Sequence, residues 1–231
     1  MDKRDDLLKG ETAVTRRLVL IGLALAFASS LVTMMVALRM VYTGELYFAF
    51  LVWNLFLAWL PFLFAVVVYG CAERPLVLGV MGPLWLLFLP NALYLVTDLI
   101  HLYPWSNVPF WYDAIMFFAF ALTGLMLGLL SLYLVHAVVT RHLGQQLGWV
   151  FALLVSALSG LGVYIGRFLR WNSWDVFTNP LRLLQDIAIN LLHPDLFLKT
   201  FVTTGLLTAV FILAYVILFM TPRLTIGDEY L

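Results

Sequence analysis

The sequence predicts an all-α integral membrane protein with six transmembrane helices and a short interfacial helix near residues 180–193. Of its 231 residues 64% are hydrophobic and 11% charged, against about 45–50% and about 25% for a soluble domain. The mean hydropathy is +1.00. Six windows free of Asp, Glu, Lys and Arg each hold the roughly 20 apolar residues that a helix needs to cross the hydrocarbon.

Residues 1–17 are polar, with Lys3, Arg4, Lys9, Arg16 and Arg17 ahead of the first window, Leu18 to Leu38. A basic segment before an apolar run is also how a signal peptide begins, and Ala26-Phe27-Ala28 resembles a cleavage site. The uncharged stretch continues through Met34, Met35 and Val36, which suits an uncleaved helix. The second window, Leu46 to Ala72, contains Asn54 and Pro61, read as interhelical hydrogen bonding and a packing kink. The third is Pro75 to Thr97, the fourth Ala114 to Thr140, and the fifth His142 to Gly166.

In the following loop Asn179-Pro180-Leu181 opens a helix, Asn as cap and Pro in the first turn. Leu181, Leu184, Ile187, Ala188, Leu191 and Leu192 fall near one face, with Arg182, Gln185, Asp186 and Asn190 elsewhere, the pattern of a helix lying in the membrane interface and equally that of a re-entrant or packing helix. The sixth window is Thr200 to Pro222, and 223–231 form a C-terminal tail. The windows take more than half the chain, leaving one membrane domain, 18–222.

Placing the N-terminus inside puts eight Lys and Arg in inner segments and five in outer ones, Arg39, Arg167, Arg170, Arg182 and Lys199. The positive-inside rule therefore expects both termini in the cytoplasm. Thirteen basic and thirteen acidic residues balance, so no charge excess points to nucleic acid. The single cysteine, Cys71, excludes an internal disulfide and a cysteine zinc cluster. No motif names a cofactor.

Ionisable groups at a bilayer cost several kcal/mol unless paired or wet, and here they gather. If the third helix resumes after Pro90, Asn91, Tyr94, Asp98 and His101 lie at offsets 0, 3, 7 and 10, one polar stripe reaching its outer end. Tyr164, Arg167, Trp171 and Trp174 repeat those offsets in the fifth, with Arg170, Asn172, Ser173 and Asp175 beside them. Trp105, Trp111, Tyr112 and Asp113 precede the fourth. An even number of crossings separates these segments, so all reach one membrane surface. Individually Asp113 is also a natural helix cap, the arginines can snorkel to lipid phosphates, and the tryptophans can anchor at the interface.

These segments resemble a bacterial membrane-protein family designated domain of unknown function 1361. The resemblance rests on Trp53-Asn54-Leu55-Phe56-Leu57-Ala58-Trp59-Leu60-Pro61, on Leu89-Pro90-Asn91-Ala92-Leu93-Tyr94 with Thr97-Asp98-Leu99-Ile100-His101-Leu102, on Trp111-Tyr112-Asp113, and on Gly166-Arg167-Phe168-Leu169-Arg170-Trp171-Asn172-Ser173-Trp174-Asp175. It runs from the second span to the last. Leu93 stands where the family often has a second proline. The resemblance implies a multi-spanning bacterial membrane protein, expected in the plasma membrane, and supplies no reaction, substrate or cofactor.

The leading functional reading is a polar site at the outer face that binds an anionic lipid headgroup or similar amphiphile, so membrane lipids are the expected partners. Arg167 and Arg170 hold phosphate or carboxylate. Trp171 and Trp174 set depth, and Asp98, Asp113 and Asp175 orient the arginines. Asn91, Tyr94, His101 and Asn172 complete the ligand-binding set. The alternative is an integral-membrane enzyme on a lipid or lipid-linked substrate, with Asp98, His101 and Asp113 as catalytic candidates. There Asp98 and His101 act as an acid/base pair, or bind a divalent metal with Asp113 or Asp175. No established metal signature supports the latter. A small-solute transporter ranks third, because the charges collect at one surface instead of continuing across. Gly124 with Gly128, and Gly162 with Gly166, have the spacing for close helix approach within one chain or between copies, which leaves a homo-oligomer open.

Overall fold

The computed structural model describes residues 3–103 and 108–221, with the backbone alone given for 3–14, 191, 194 and 195. Trp105, Pro222, Arg223 and the expected C-terminal tail lie outside the described residues. The helices are α1 (Lys3–Thr43), α2 (Ala49–Gly70), α3 (Pro75–Thr97), α4 (Phe110–Leu143), α5 (Gln145–Phe168), α6 (Asp175–Thr178), α7 (Pro180–Leu192) and α8 (Pro194–Met220), with a 3₁₀ turn, Asp98–His101, after α3. Six of them, α1 to α5 and α8, are long and apolar enough to cross a membrane.

Several helix ends depart from the charge-free windows, among them those of α1, α4 and α8. The first helix begins at Lys3, so its 41 residues extend about 60 Å at 1.5 Å per residue, about twice the hydrocarbon thickness. His142 and Leu143 belong to α4, not to the fifth span; Gly144, at φ +88°, makes the whole turn to α5. The last span starts at Pro194 because a proline suits a helix's first turn and Lys199 does not interrupt it.

α4 is the central helix, touching α1, α2, α3, α5 and α8. Its Met116, Phe117, Phe120 and Leu127 are buried against Leu51, Leu55 and Ala58 of α2 and Trp85, Leu89, Ala92 and Leu95 of α3. Lipid tails are as apolar as leucine, so helices in a bilayer associate through close packing and polar contacts. Both are present. A Cβ on Gly124 would stand 2.7 Å from the Ala92 carbonyl oxygen and one on Gly162 2.5 Å from Pro90 Cγ. Those glycines therefore set the α3–α4 and α3–α5 distances, and Gly128 and Gly166 face Ala92 and Tyr94 in the same way. The small-residue pairs serve packing within one chain.

Polar contacts join the same helices. Trp85 Nε1 donates to Ser131 Oγ at 3.2 Å, and Trp59 Nε1 to Ser29 Oγ at 3.0 Å. His136 Nδ1 and Tyr215 Oη lie 2.5 Å apart between α4 and α8.

The antiparallel course of α3, α4 and α5 brings the end of α3, the start of α4 and the end of α5 to one end of the bundle. The short helix expected near 180–193 is α7. Its inward face carries Leu183, Asp186, Ile187 and Asn190, while Leu181, Leu184, Ile189 and Leu192 are exposed. Thus Asp186 and Asn190 turn toward the protein, where Asp186 accepts from Trp171 Nε1 at 3.0 Å and Asn190 from Tyr164 Oη at 3.1 Å.

Candidate amphiphile groove

The site is built around a buried carboxylate. The polar stripe of α3 reaches its end, where the backbone tightens into the Asp98–His101 turn and Asp98 becomes fully buried. A carboxylate out of water needs paired charge and hydrogen-bond donors. Arg167, at the end of α5, donates through Nη2 to Asp98 Oδ1. Asn54 of α2 donates through Nδ2 to Asp98 Oδ2 at 2.8 Å. The interhelical hydrogen bond expected of Asn54 is thus made, and its partner is the buried carboxylate.

Arg167 itself is held on every side. Its Nε and Nη2 donate to Thr97 Oγ1 at 3.2 and 3.0 Å, and its guanidinium carbon sits 3.9 Å above the Tyr94 ring. Thr97 Oγ1 in turn donates to the Tyr94 carbonyl at 2.7 Å. Arg167 Nη1 lies 3.0 Å from His101 Nε2. A guanidinium can only donate, so Nε2 accepts and the imidazole proton sits on Nδ1. His101 is exposed and free to present that N–H outward. Neither oxygen of Asp98 contacts His101; the acid/base pair of the enzyme reading is not joined by a hydrogen bond among the described residues.

Beside this cluster runs a groove of about 730 Å³ between α2, α3, α5, α7 and the loop that follows α5. Asn91, Tyr94, His101, Arg167, Arg170, Trp171, Asn172 and Trp174 all line it, and Asp98 and Asp175 do not. Asn91 Nδ2 ties α3 to the loop by donating to Ser173 Oγ at 3.0 Å. The groove continues past Pro90 to Leu57, Leu86, Leu87 and Leu158. Its polar end and its apolar depth lie along the same helices.

Arg170 differs from Arg167. It is exposed, it lines the groove, and among the described residues no carboxylate pairs with it. Its φ of 61° puts a non-glycine residue in the left-handed region, a conformation that costs about 1 kcal/mol. The chain reverses there, with Trp171 N–H donating to the Ile165 carbonyl at 3.3 Å.

The other expected members fall elsewhere. Asp113 pairs with Arg39 of α1, Oδ1 and Oδ2 accepting from Nε at 2.7 Å and Nη2 at 3.1 Å. Both residues are buried, and the guanidinium also lies 4.1 Å from the Phe48 ring centroid. Asp175 closes the turn into α6, accepting from Asn172 N–H at 2.7 Å and from Thr178 Oγ1 at 3.2 Å. Each aspartate thus has its own task, and only Asp98 holds one of the two expected arginines. Among the described residues no three His, Cys, Asp or Glu side chains are grouped to hold a metal ion.

Sequence reasoning gave no role to Thr97 or to the Arg39 partnership, and named Ser173 only as a neighbour of Arg170 and Asn172. The signal for Arg39 was present: a cation near the end of the first span with no carboxylate of its own segment beside it.

No curated protein and no solved structure matches this chain. The profile of one family matches residues 53–219, from the first groove residue of α2 to the end of α8. The chain belongs to the family described as protein of unknown function (DUF1361).

Proposed function

We propose that this multi-spanning membrane protein binds an amphiphile with an anionic headgroup, phosphate or carboxylate, in the groove between α2, α3 and α5. One observation carries the reading: among the described residues the groove wall bears two guanidinium groups, Arg167 and Arg170, and no carboxylate. Asp98 neutralises Arg167 from behind the wall. Arg170 is left as the cation that a ligand neutralises, with the His101 Nδ1–H and the Asn172 side chain as neutral donors nearby.

The apolar depth of the groove supports an amphiphile over a small soluble anion, since ligand sites pair apolar walls with a few placed polar groups. Trp171 and Trp174 at the mouth suit the boundary between headgroups and hydrocarbon. The setting we infer is a bacterial plasma membrane with both termini cytoplasmic and the groove's polar end outside, following the distribution of Lys and Arg.

The test is lipid analysis of protein purified in mild detergent. Wild type retains an anionic lipid or lipid-like molecule near one per chain, and Arg170→Gln, confirmed folded, loses most of it. Equal retention by the two proteins would remove Arg170 from the account.

A further inference from the structure

We infer that the groove takes a single-chain amphiphile, a long-chain phosphate or carboxylate, and discriminates against diacyl lipids. This rests on the reading above and adds the shape of the ligand's tail.

The groove's α3 wall runs from Leu86 to the turn after Thr97, eleven rises of 1.5 Å or about 17 Å along the helix. That is about one leaflet of a hydrocarbon core roughly 30 Å thick. A ligand with its headgroup at Arg170 therefore lays its chain along α3 and α5 and ends near Leu57, Leu87 and Leu158.

The volume, about 730 Å³, holds about two dozen groups the size of a water molecule at roughly 30 Å³ each. Hexadecyl phosphate has about that many heavy atoms, and a diacyl phosphatidic acid with chains of the same length about twice as many. The floor between α3 and α5 is closely packed. Pro90 packs on Gly162 so closely that even a Cβ there would overlap it, and Tyr94 packs on Gly166. A second chain finds no slot between α3 and α5.

The headgroup side is equally selective. Arg167 has its charge met by Asp98 and also donates to Thr97 and His101, which leaves at most one Nη1 N–H for a ligand and makes Arg170 the cation of the wall that pairs with no carboxylate among the described residues. One anionic group, with His101 Nδ1–H and Asn172 as neutral donors, matches that inventory. A zwitterionic headgroup would bring an ammonium to a wall that has no carboxylate among the described residues.

The experiment uses the full chain in detergent and native mass spectrometry with four probes: inorganic phosphate, octyl phosphate, hexadecyl phosphate and dipalmitoyl phosphatidic acid. Hexadecyl phosphate is expected to bind one per chain, at least tenfold tighter than octyl phosphate and than the diacyl lipid, with inorganic phosphate weakest. Leu57→Trp, which fills the depth, should abolish the preference for the longer chain and leave octyl phosphate bound as before. Arg170→Gln should weaken both alkyl phosphates. The wild-type comparison is decisive by itself if Leu57→Trp does not fold. A diacyl lipid bound as tightly as hexadecyl phosphate overturns the single-chain inference and leaves the anionic-amphiphile site standing. Equal binding of octyl and hexadecyl phosphates, or of inorganic phosphate, overturns the chain subsite. Failure of every anionic amphiphile to bind overturns the inference and the proposed function together.

Discussion

Asp98 and Arg167, 69 residues apart in sequence, form an ion pair whose side chains are 1% and 9% exposed. Breaking a buried pair from one side leaves a charge without compensation, which costs about 3–5 kcal/mol, whereas removing both partners costs less. Arg167→Met should therefore lower stability by about that amount, and Asp98→Asn combined with Arg167→Met should recover part of it. Thermal unfolding of the single and double variants in detergent measures the difference. A double variant less stable than Arg167→Met would mean that the pair is not the coupled unit described.

The Arg39–Asp113 pair predicts a contrast. Both side chains are buried, and neither belongs to the groove wall beside α5. Asp113→Asn should reduce stability by about 3 kcal/mol, the lower end for a broken buried pair, with the amphiphile retained per folded chain unchanged. Loss of ligand in folded Asp113→Asn protein would place that aspartate back in the site.

Packing at the groove floor can be tested at Gly162. Leucine there must displace Pro90, and overpacking a filled interior costs about 1–3 kcal/mol. Gly205, on α8, faces open space, so Gly205→Leu should stay within about 0.5 kcal/mol, as surface changes usually do. Unfolding midpoints of the two variants separate contact within the chain from a general intolerance of large residues at membrane glycines.

The architecture was legible because a bilayer leaves few choices: a charge-free stretch of sufficient length must be a helix that satisfies its own backbone. The even number of crossings likewise placed Asp98 and Arg167 at one end of the bundle. Which carboxylate meets which arginine was not legible. That depends on each helix's rotation about its axis and on neighbour order, and α1 packs against α4, so Asp113 meets Arg39 and not Arg167. Helix periodicity placed the apolar residues of α7 on one face and its polar residues elsewhere. It could not show that Asp186 and Asn190 have partners in Trp171 and Tyr164, because hydrogen bonds to other segments leave no mark on a helix's own pattern.

Arg170 carries a trade-off between stability and binding. Glycine adopts its left-handed φ without strain, so Arg170→Gly should raise stability by up to about 1 kcal/mol, less glycine's extra unfolded-state entropy. The same substitution removes the uncommitted cation of the wall. Unfolding midpoint and bound lipid should then move in opposite directions, whereas Arg170→Gln keeps the strained backbone and loses the ligand without a gain in stability.

The most direct measurement is an experimental structure of the full chain in a lipid environment, resolved well enough to show density in the groove. The account predicts an anionic group within hydrogen-bond distance of Arg170, and a chain running past Pro90 toward Leu57 and Leu158. A groove filled by the protein's own side chains, or Arg170 turned away from it toward bulk lipid, would contradict the account.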